Sequence, residues 1–173
     1  MTFDLAETIQ LLSSTPDALR SLLQSLPEDW ARTSDEPGSW APFDVIGHLL
    51  HGEETDWLPR AEIILAQAEN TTFVPFDRFI QFESSKGKTL TELLDQFSLL
   101  RRRNLETMRS WQLSEAQLDL PGVHPELGPV NLRQLLATWA VHDLNHLRQI
   151  IVAIAKHYEH AVGPWKQYLS ILN

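Results

Sequence analysis

The sequence predicts an all-α fold, a four-helix bundle with long crossover-type connections. Apolar residues recur at helical spacing in four segments, residues 3–26, 42–68, 89–111 and 131–157. No segment convincingly shows the alternation that is typical of a half-buried strand. Amphipathic helices bury their apolar faces against one another, which is the arrangement of a bundle.

The first segment predicts one kinked helix or two short helices in line. Pro16 interrupts its apolar pattern, and Thr15 resembles a new N-cap with proline at the first helical position. Pro27 ends the helical pattern. Residues 28–41 then predict a polar loop with a Pro-Gly turn signal.

The second segment, residues 42–68, predicts a helix that Pro59 bends. His48 lies in its first turns, and its position on a helical wheel flanks the apolar centre, so periodicity alone does not direct it inward. His51 and Glu53 are expected to face solvent or a loop.

The connection at 69–88 is rich in aromatic residues and has no sustained period. Phe73, Val74, Phe76, Phe79 and Phe82 indicate that it packs down onto the bundle. Loops of ~20 residues are uncommon in compact domains and often have a function. Two interpretations remain, a crossover that seals one end of the bundle and a lid over a site.

The third segment opens with a capping box, Thr89 to Glu92. Arg101 and Asn104 fall within its apolar arc. Arg101 is either half of a buried ion pair with Asp143 or a cavity residue that meets an anionic substrate group. Residues 112–130 predict a loop, and the tail predicts a short helix at residues 165–172.

The fourth segment carries the most informative stretch, HDLNH at residues 142–146. Asn131 predicts its N-cap, with Gln134 completing an approximate capping box. His142 and His146 are one helical turn apart on one face, a spacing at which two imidazoles can share a metal ion. Asp143 points toward the apolar arc, where a carboxylate needs a partner. The alternative is a pair of hydrogen-bonded core histidines, and a third ligand is needed to choose between them.

The composition excludes several classes of protein. The chain of 173 residues predicts a single domain, residues 1–173. A net charge of −9 argues against nucleic-acid binding, which needs a basic surface. The absence of cysteine excludes disulfides, thiolate metal ligands and a protein thiol nucleophile, and it fits a reducing compartment. With no signal peptide and no apolar run near the ~18 residues of a membrane span, we expect a cytoplasmic protein without membrane contact.

Several motifs, in this order and spacing, resemble the DinB-like superfamily of metal-dependent four-helix-bundle proteins. They are WAP at residues 40–42, VIGHL at 45–49, LLDQF at 93–97 with Arg101, HPELGPV at 124–130 and HDLNHLRQI at 142–150. The resemblance covers residues 3–157.

This resemblance implies one divalent metal ion held by three histidines, one from the second helix and two from the fourth. Carried over, the ligands are His48, His142 and His146. Members with an activity use zinc or nickel in transferase or isomerase reactions with low-molecular-weight thiols. The expected partner is therefore a small-molecule substrate together with such a thiol. Asp143 and Arg101 are the candidate catalytic residues, Asp143 as an orienter of the ligands or as a base.

Three other functions are compatible with the same residues. A metal-dependent hydrolase would use a metal-bound water. HDLNH differs from the HExxH metalloprotease motif by a shorter and misplaced carboxylate, and the third ligand would have to be His157 or His160. A non-catalytic bundle would use the ion only to hold two helices together.

Apolar faces that include Trp57 and Trp111 also predict a homodimer.

Overall fold

A computed structural model describes residues 3–34 and 36–173 of the protein. Residues 1, 2 and 35, which belong to the predicted domain 1–173, lie outside the described residues. The elements in chain order are α1 (Leu5–Leu23), α2 (Glu28–Arg32), α3 (Pro42–Thr55), α4 (Trp57–Ala66), α5 (Ile80–Ser84), α6 (Leu90–Ser110), α7 (Glu115–Leu118), β1 (Pro121–His124), β2 (Gly128–Asn131) and α8 (Leu132–Lys156). Two 3-10 turns follow, Gly163–Tyr168 and Ser170–Leu172.

Helices α1, α3, α6 and α8 form the predicted four-helix bundle. Helix α3 packs against α6 and α8, and α1 packs against the same two helices from the other side. Helix α4 continues the direction of the chain after α3 and also packs against α8. The predicted fold class is thus confirmed. Within the described residues, no helix combines the length and the apolar character needed to span a membrane.

The two predicted capping boxes fix where α6 and α8 begin. The hydroxyl of Thr89 accepts a hydrogen bond from the Glu92 N–H, and the Glu92 carboxylate accepts one from the Thr89 N–H. The side chain of Asn131 accepts from the Gln134 N–H at 2.8 Å, and Gln134 accepts from the Asn131 N–H at 3.0 Å. Each box satisfies amide donors that the first helical turn leaves unpaired.

Proline affects the helix of the second segment differently from what the sequence predicted. Helix α1 runs without interruption through Pro16, as the single-helix alternative predicted. The segment 42–68 is not one bent helix, because it breaks at Asp56, where φ is −111° and ψ is −68°. Pro59 lies in the first turn of α4, and a proline there loses no helical hydrogen bond because first-turn amides have no partner in any case.

The long connections contain more structure than the sequence predicted. Residues 121–131, within the predicted loop, form an antiparallel hairpin of β1 and β2, with Gly128 at φ +78° after its turn. The Phe73 N–H donates to the Val123 carbonyl at 2.9 Å, which ties the connection 69–88 to this hairpin. Within that connection Phe73 is buried, whereas Val74, Phe79 and Phe82 are exposed, so only part of the aromatic stretch packs onto the bundle.

The core is divided into two apolar clusters along the bundle axis. One includes Leu12, Leu105 and Trp139, and the other includes Leu19, Phe97 and Ile150. On α1, α6 and α8, residues of the first cluster are separated from residues of the second by a short stretch of sequence, and α3 contributes only to the second cluster. A layer of buried polar side chains from α3, α6 and α8 lies between the two clusters.

Arg101 is the centre of this polar layer. Its guanidinium donates to both carboxylate oxygens of Asp143, to Glu53 Oε1 at 2.8 Å and to the Leu12 carbonyl at 2.9 Å. The three charged side chains are at most 1% exposed. Burial raises the pKa of the Glu53 carboxyl, while the charge and hydrogen bonds of Arg101 oppose that rise. The network joins α1, α3, α6 and α8 through one residue.

Two further donors complete the environment of Glu53. The indole N–H of Trp139 donates to Oε1 at 3.0 Å, and the Asn104 amide donates to Oε2 at 3.0 Å. The prediction that Glu53 faces solvent or a loop is therefore wrong, since Glu53 is 2% exposed. His51 is 5% exposed and faces the connection 69–88, where its ring lies 5.0 Å from the ring of Phe76, so the loop-facing alternative is confirmed for it. Helix α3 is covered on nearly every side, so it has no polar face by which the sequence could separate inward from outward positions.

We expect Arg101→Met to lower the free energy of unfolding by about 3–5 kcal/mol, because it leaves two buried carboxylates without their counter-charge. Chemical denaturation followed by circular dichroism measures this loss. The matched control is Arg102→Met on the exposed side of the same helix, which should change stability by less than ~0.5 kcal/mol. Equal, small effects of the two substitutions would contradict the central role of Arg101.

Candidate metal centre

Three histidines from two helices converge at one point of the bundle. His48 comes from the first half of α3, and His142 and His146 lie one turn apart on α8. The Nε2 atom of His142 is 3.1 Å from Nε2 of His48 and 3.1 Å from Nε2 of His146. These three form a group whose potential ligand atoms all lie within 4.8 Å of one another.

Aromatic side chains hold the three imidazoles in place. Trp40 packs against His48 at a ring separation of 4.9 Å and stacks over His146 at 6.4 Å. Trp57 meets the ring of His142 edge-on at 5.0 Å. These contacts restrict how the rings can rotate, so the convergence of the Nε2 atoms is built into the packing.

The three ring nitrogens cannot all satisfy one another by hydrogen bonding. In a neutral imidazole each ring nitrogen carries either one proton or one lone pair. The Nε2 atom of His142 faces two other Nε2 atoms, and with a single proton or a single lone pair it can make a well-directed hydrogen bond with only one of them. A cation among three lone pairs removes this conflict. Metal–nitrogen distances of about 2.0–2.1 Å place ligand nitrogens roughly 3–3.5 Å apart, which the two distances of 3.1 Å from Nε2 of His142 match.

Burial keeps the imidazoles in the neutral form that can bind a metal. Burial, reinforced by the charge of neighbouring His146, lowers the pKa of His48 to about 3. Burial also lowers the pKa of His142 to about 2, with further contributions from His146 and His48. The pKa of His146 is lowered as well, chiefly by burial, although Gln149 opposes the shift. The lone pairs are therefore available at neutral pH.

One ligand already has the outer hydrogen bond that metal-binding histidines usually make. Nδ1 of His146 lies 2.9 Å from Oε1 of Gln149, three residues along α8. This contact places the ring proton on Nδ1 and directs the lone pair of Nε2 to the centre of the group. Nδ1 of His48 and of His142 are buried and have no hydrogen-bond partner within the described residues.

The histidines form part of the wall of a cavity of about 580 Å³. Its lining comes from α3, α4, α8, the 69–88 connection and the hairpin turn, and consists of Gly38, Ser39, Trp40, His48, Gly52, Asp56, Trp57, Arg60, Pro75, Phe76, Arg78, His124, Pro125, Glu126, His142, His146 and Gln149. A cavity that reaches the donor atoms leaves room for a molecule beside a bound ion.

Two polar features of the cavity wall escaped the sequence analysis. Asp56 and Arg60 form an ion pair at 2.6 Å, and burial raises the pKa of the Asp56 carboxyl. Nδ1 of His124 accepts hydrogen bonds from the backbone N–H groups of Glu126 and Leu127, both at 3.2 Å. Nδ1 therefore carries a lone pair and the ring proton lies on Nε2. The four-residue spacing of Asp56 and Arg60 on a helix was a usable signal for the pair.

The other predicted site residues lie away from this cavity. Arg101 and Asp143 form the buried pair that was one of the two sequence interpretations, and neither lines the cavity. Their predicted catalytic role stays a prediction. His157, a candidate third ligand of a protease, instead stacks on Trp30 with ring centroids 4.3 Å apart. Trp57, taken as evidence for a homodimer, is buried in the bundle, so it no longer supports that prediction.

Comparisons with known proteins agree with the family suggested by the motifs. The model of the DinB superfamily matches residues 11–150. No curated protein matches the chain.

Two solved structures resemble this one. YfiT from Bacillus subtilis, a probable metal-dependent hydrolase with an unusual four-helix bundle topology, is 21% identical with a TM-score of 0.76 over 88% of this chain and 86% of YfiT. TT2238, a four-helix bundle protein, is 20% identical with a TM-score of 0.54 over 83% of this chain and 94% of its own. At these identities the likeness shows the fold.

The metal-free protein should lose stability as the pH falls from about 7 to about 5. Unfolded histidines take up protons near pH 6.5, whereas native His48 and His142 stay neutral down to about pH 3 and about pH 2. The unfolded state therefore binds more protons in this range, at a cost on the order of 2 kcal/mol for each histidine. Chemical denaturation at several pH values measures the slope. The double variant His48→Asn/His142→Asn should have a shallower slope, and an unchanged slope would contradict the assignment.

Proposed function

This chain belongs to the DinB superfamily, and we propose that it is a metal-dependent enzyme whose divalent ion, zinc or nickel, is held by His48, His142 and His146. The observation that carries the proposal is the convergence of three Nε2 atoms on the wall of an accessible cavity. Structural zinc sites are usually closed by four protein ligands, whereas catalytic sites keep a position open for water or substrate.

A bound ion would lower the pKa of a coordinated water or thiol and so make it nucleophilic near neutral pH. The chain itself contributes neutral imidazoles, the orienting contact of Gln149 with His146, and a cavity wall lined by Trp40, Trp57 and Phe76. It contains no cysteine, so a reacting thiol has to arrive as a cosubstrate.

The reaction we favour is transfer of a low-molecular-weight thiol to a small electrophile. The motifs of the chain resemble those of superfamily members that run such reactions. A cavity of about 580 Å³ lies within the usual range of roughly 300–1,000 Å³ for small-molecule sites, so a thiol and a second small molecule can share it. In the reaction the thiol gives up its proton to solvent, its sulfur forms a bond to carbon, and the leaving group departs with its electron pair.

The far wall of the cavity favours an electrophile that bears an oxygen acceptor. The ring of His124 is held by its two backbone hydrogen bonds, which leaves Nε2–H free to donate toward a bound molecule. Arg60, buried and paired with Asp56, adds a positive charge near this wall. A fixed neutral donor and a buried cation suit an oxygen that gains negative charge during the reaction.

A metal-dependent hydrolase is the second candidate. The description of YfiT as a probable metal-dependent hydrolase favours it, since YfiT shares the fold of this chain. A hydrolase would use water in place of the thiol with the same three histidines. The two reactions are separated by their products, because only the transferase consumes a thiol and forms a thioether.

We expect protein purified without an affinity tag to contain about one divalent ion per chain, measured by elemental analysis. His146→Ala should lose the ion while it keeps its helical circular dichroism spectrum. The matched control is His51→Ala, which removes an imidazole of α3 outside the group and should retain the ion. Wild-type protein that takes up neither zinc nor nickel would rule out the metalloenzyme.

Removing the ion with a chelator distinguishes an enzyme from a bundle in which the ion only holds two helices together. A catalytic site should lose the ion to a chelator with only a modest fall in the melting temperature, because Arg101 and the apolar clusters hold the bundle together. A purely structural ion predicts that the protein unfolds when the ion is removed. Thermal denaturation before and after dialysis against a chelator distinguishes the two.

His124→Asn should lower kcat/KM for thiol transfer about 3- to 10-fold, because asparagine keeps the acceptor for the turn and lacks the Nε2–H donor. The assay uses the zinc- or nickel-loaded protein with glutathione as the thiol and monobromobimane as the electrophile, and it follows thioether formation. Metal content should not change, and exposed His160→Asn serves as the control. A rate equal to wild type would remove His124 from the substrate site.

A further inference from the structure

One buried side chain near the histidine group has no hydrogen-bond partner on either of its polar atoms. Gln81, in α5, is 1% exposed, and neither its amide nitrogen nor its amide oxygen makes a hydrogen bond within the described residues. Burying an unpaired amide costs free energy, so such a group calls for an explanation. A leucine at this position would bury no unpaired polar atom.

Close backbone packing places Gln81 beside His48. Helix α5 lies directly over the first half of α3. A Cβ atom added at Gly47, the residue before His48, would come within 2.5 Å of the Ser85 hydroxyl and 3.9 Å of the Gln81 Cβ. The Gln81 side chain reaches the His48 imidazole, and this contact raises the pKa of His48, although its geometry falls short of a full hydrogen bond.

The Gln81 amide and the His48 imidazole complement each other once a metal is bound. When Nε2 of His48 gives its lone pair to an ion, the single proton of the neutral ring has to lie on Nδ1. That Nδ1 is buried and has no partner within the described residues. A buried N–H donor needs an acceptor, and the unpaired amide oxygen of Gln81 can supply one.

We propose that Gln81 is the positioning residue for His48, its Oε1 accepting the Nδ1–H hydrogen bond when the ion is bound. The inference rests on the proposed metal site. The same chain already provides the precedent, since Gln149 makes this contact with His146 at 2.9 Å. In the metal-free protein, Nε2 of His48 instead shares a hydrogen bond with Nε2 of His142, and the Gln81 amide is left unpaired. Binding of an ion through Nε2 would fix the ring proton of His48 on Nδ1.

Gln81→Leu tests the proposal because it should change two quantities in opposite directions. Affinity for zinc, measured by competition with the chromogenic chelator 4-(2-pyridylazo)resorcinol, should fall about 10- to 100-fold. Stability of the metal-free protein, measured by chemical denaturation, should stay the same or rise, because an unpaired buried amide has been removed. Gln81→Glu, which keeps an acceptor oxygen, should retain most of the zinc affinity.

The controls separate this role from a structural one. Gln149→Leu should weaken zinc binding in the same way, and Ser85→Ala, at the C-cap of the helix that carries Gln81, should leave zinc affinity unchanged. Zinc affinity of Gln81→Leu within twofold of wild type would overturn the role of Gln81 and leave the metal site intact. A parallel loss of affinity and metal-free stability that Gln81→Glu does not restore would also overturn it. Wild-type protein that binds no zinc would overturn the metal site itself, and this inference with it.

Discussion

The bundle depends on one buried cation, Arg101, and on the two carboxylates that neutralise it. Each charge would be very costly alone in the apolar interior, so Glu53 of α3 and Asp143 of α8 have to meet Arg101 at once. That requirement fixes the longitudinal register of α3 against α8. His48 lies five residues before Glu53, and His142 is adjacent to Asp143, so the register that pairs the charges also brings the ligand nitrogens together. The charged layer thus determines where along the bundle the histidines meet, although it does not line the cavity.

The histidine group has the opposite electrostatic character from this charged layer. Its imidazoles are buried without a carboxylate partner, and burial drives them to the neutral form. A proton is therefore a weak competitor for their lone pairs at neutral pH, and a divalent ion is the cation that they can stabilise. Because Arg101 takes up both nearby carboxylates, the ligand set stays purely nitrogen, which favours zinc or nickel over magnesium or calcium.

The sequence predicted most where each helix has one buried face and one solvated face. On α8 the periodicity located Asp143 and His146 inside and His142 at the edge, and the caps at Thr89 and Asn131 fixed two helix starts. Helix α3 has no solvated face, so the same method left His48 undecided and misplaced Glu53. His48 came only from the family motif. The break at Asp56 and the hairpin depend on packing between distant segments, and the unpaired state of Gln81 can be seen only once α5 is placed on α3.

The connection 69–88 carries the chain from α4 to α6 and also lines the cavity through Pro75, Phe76 and Arg78. Its role as a lid stays a prediction. Its backbone hydrogen-bonds to β1 through Phe73 and Val123, so its start is fixed to the hairpin that carries His124. Phe76 then covers the cavity beside the His48 ring, at a centroid separation of 5.5 Å, and α5 brings Gln81 over the same histidine. A single stretch thus contacts both the hairpin and the surroundings of His48.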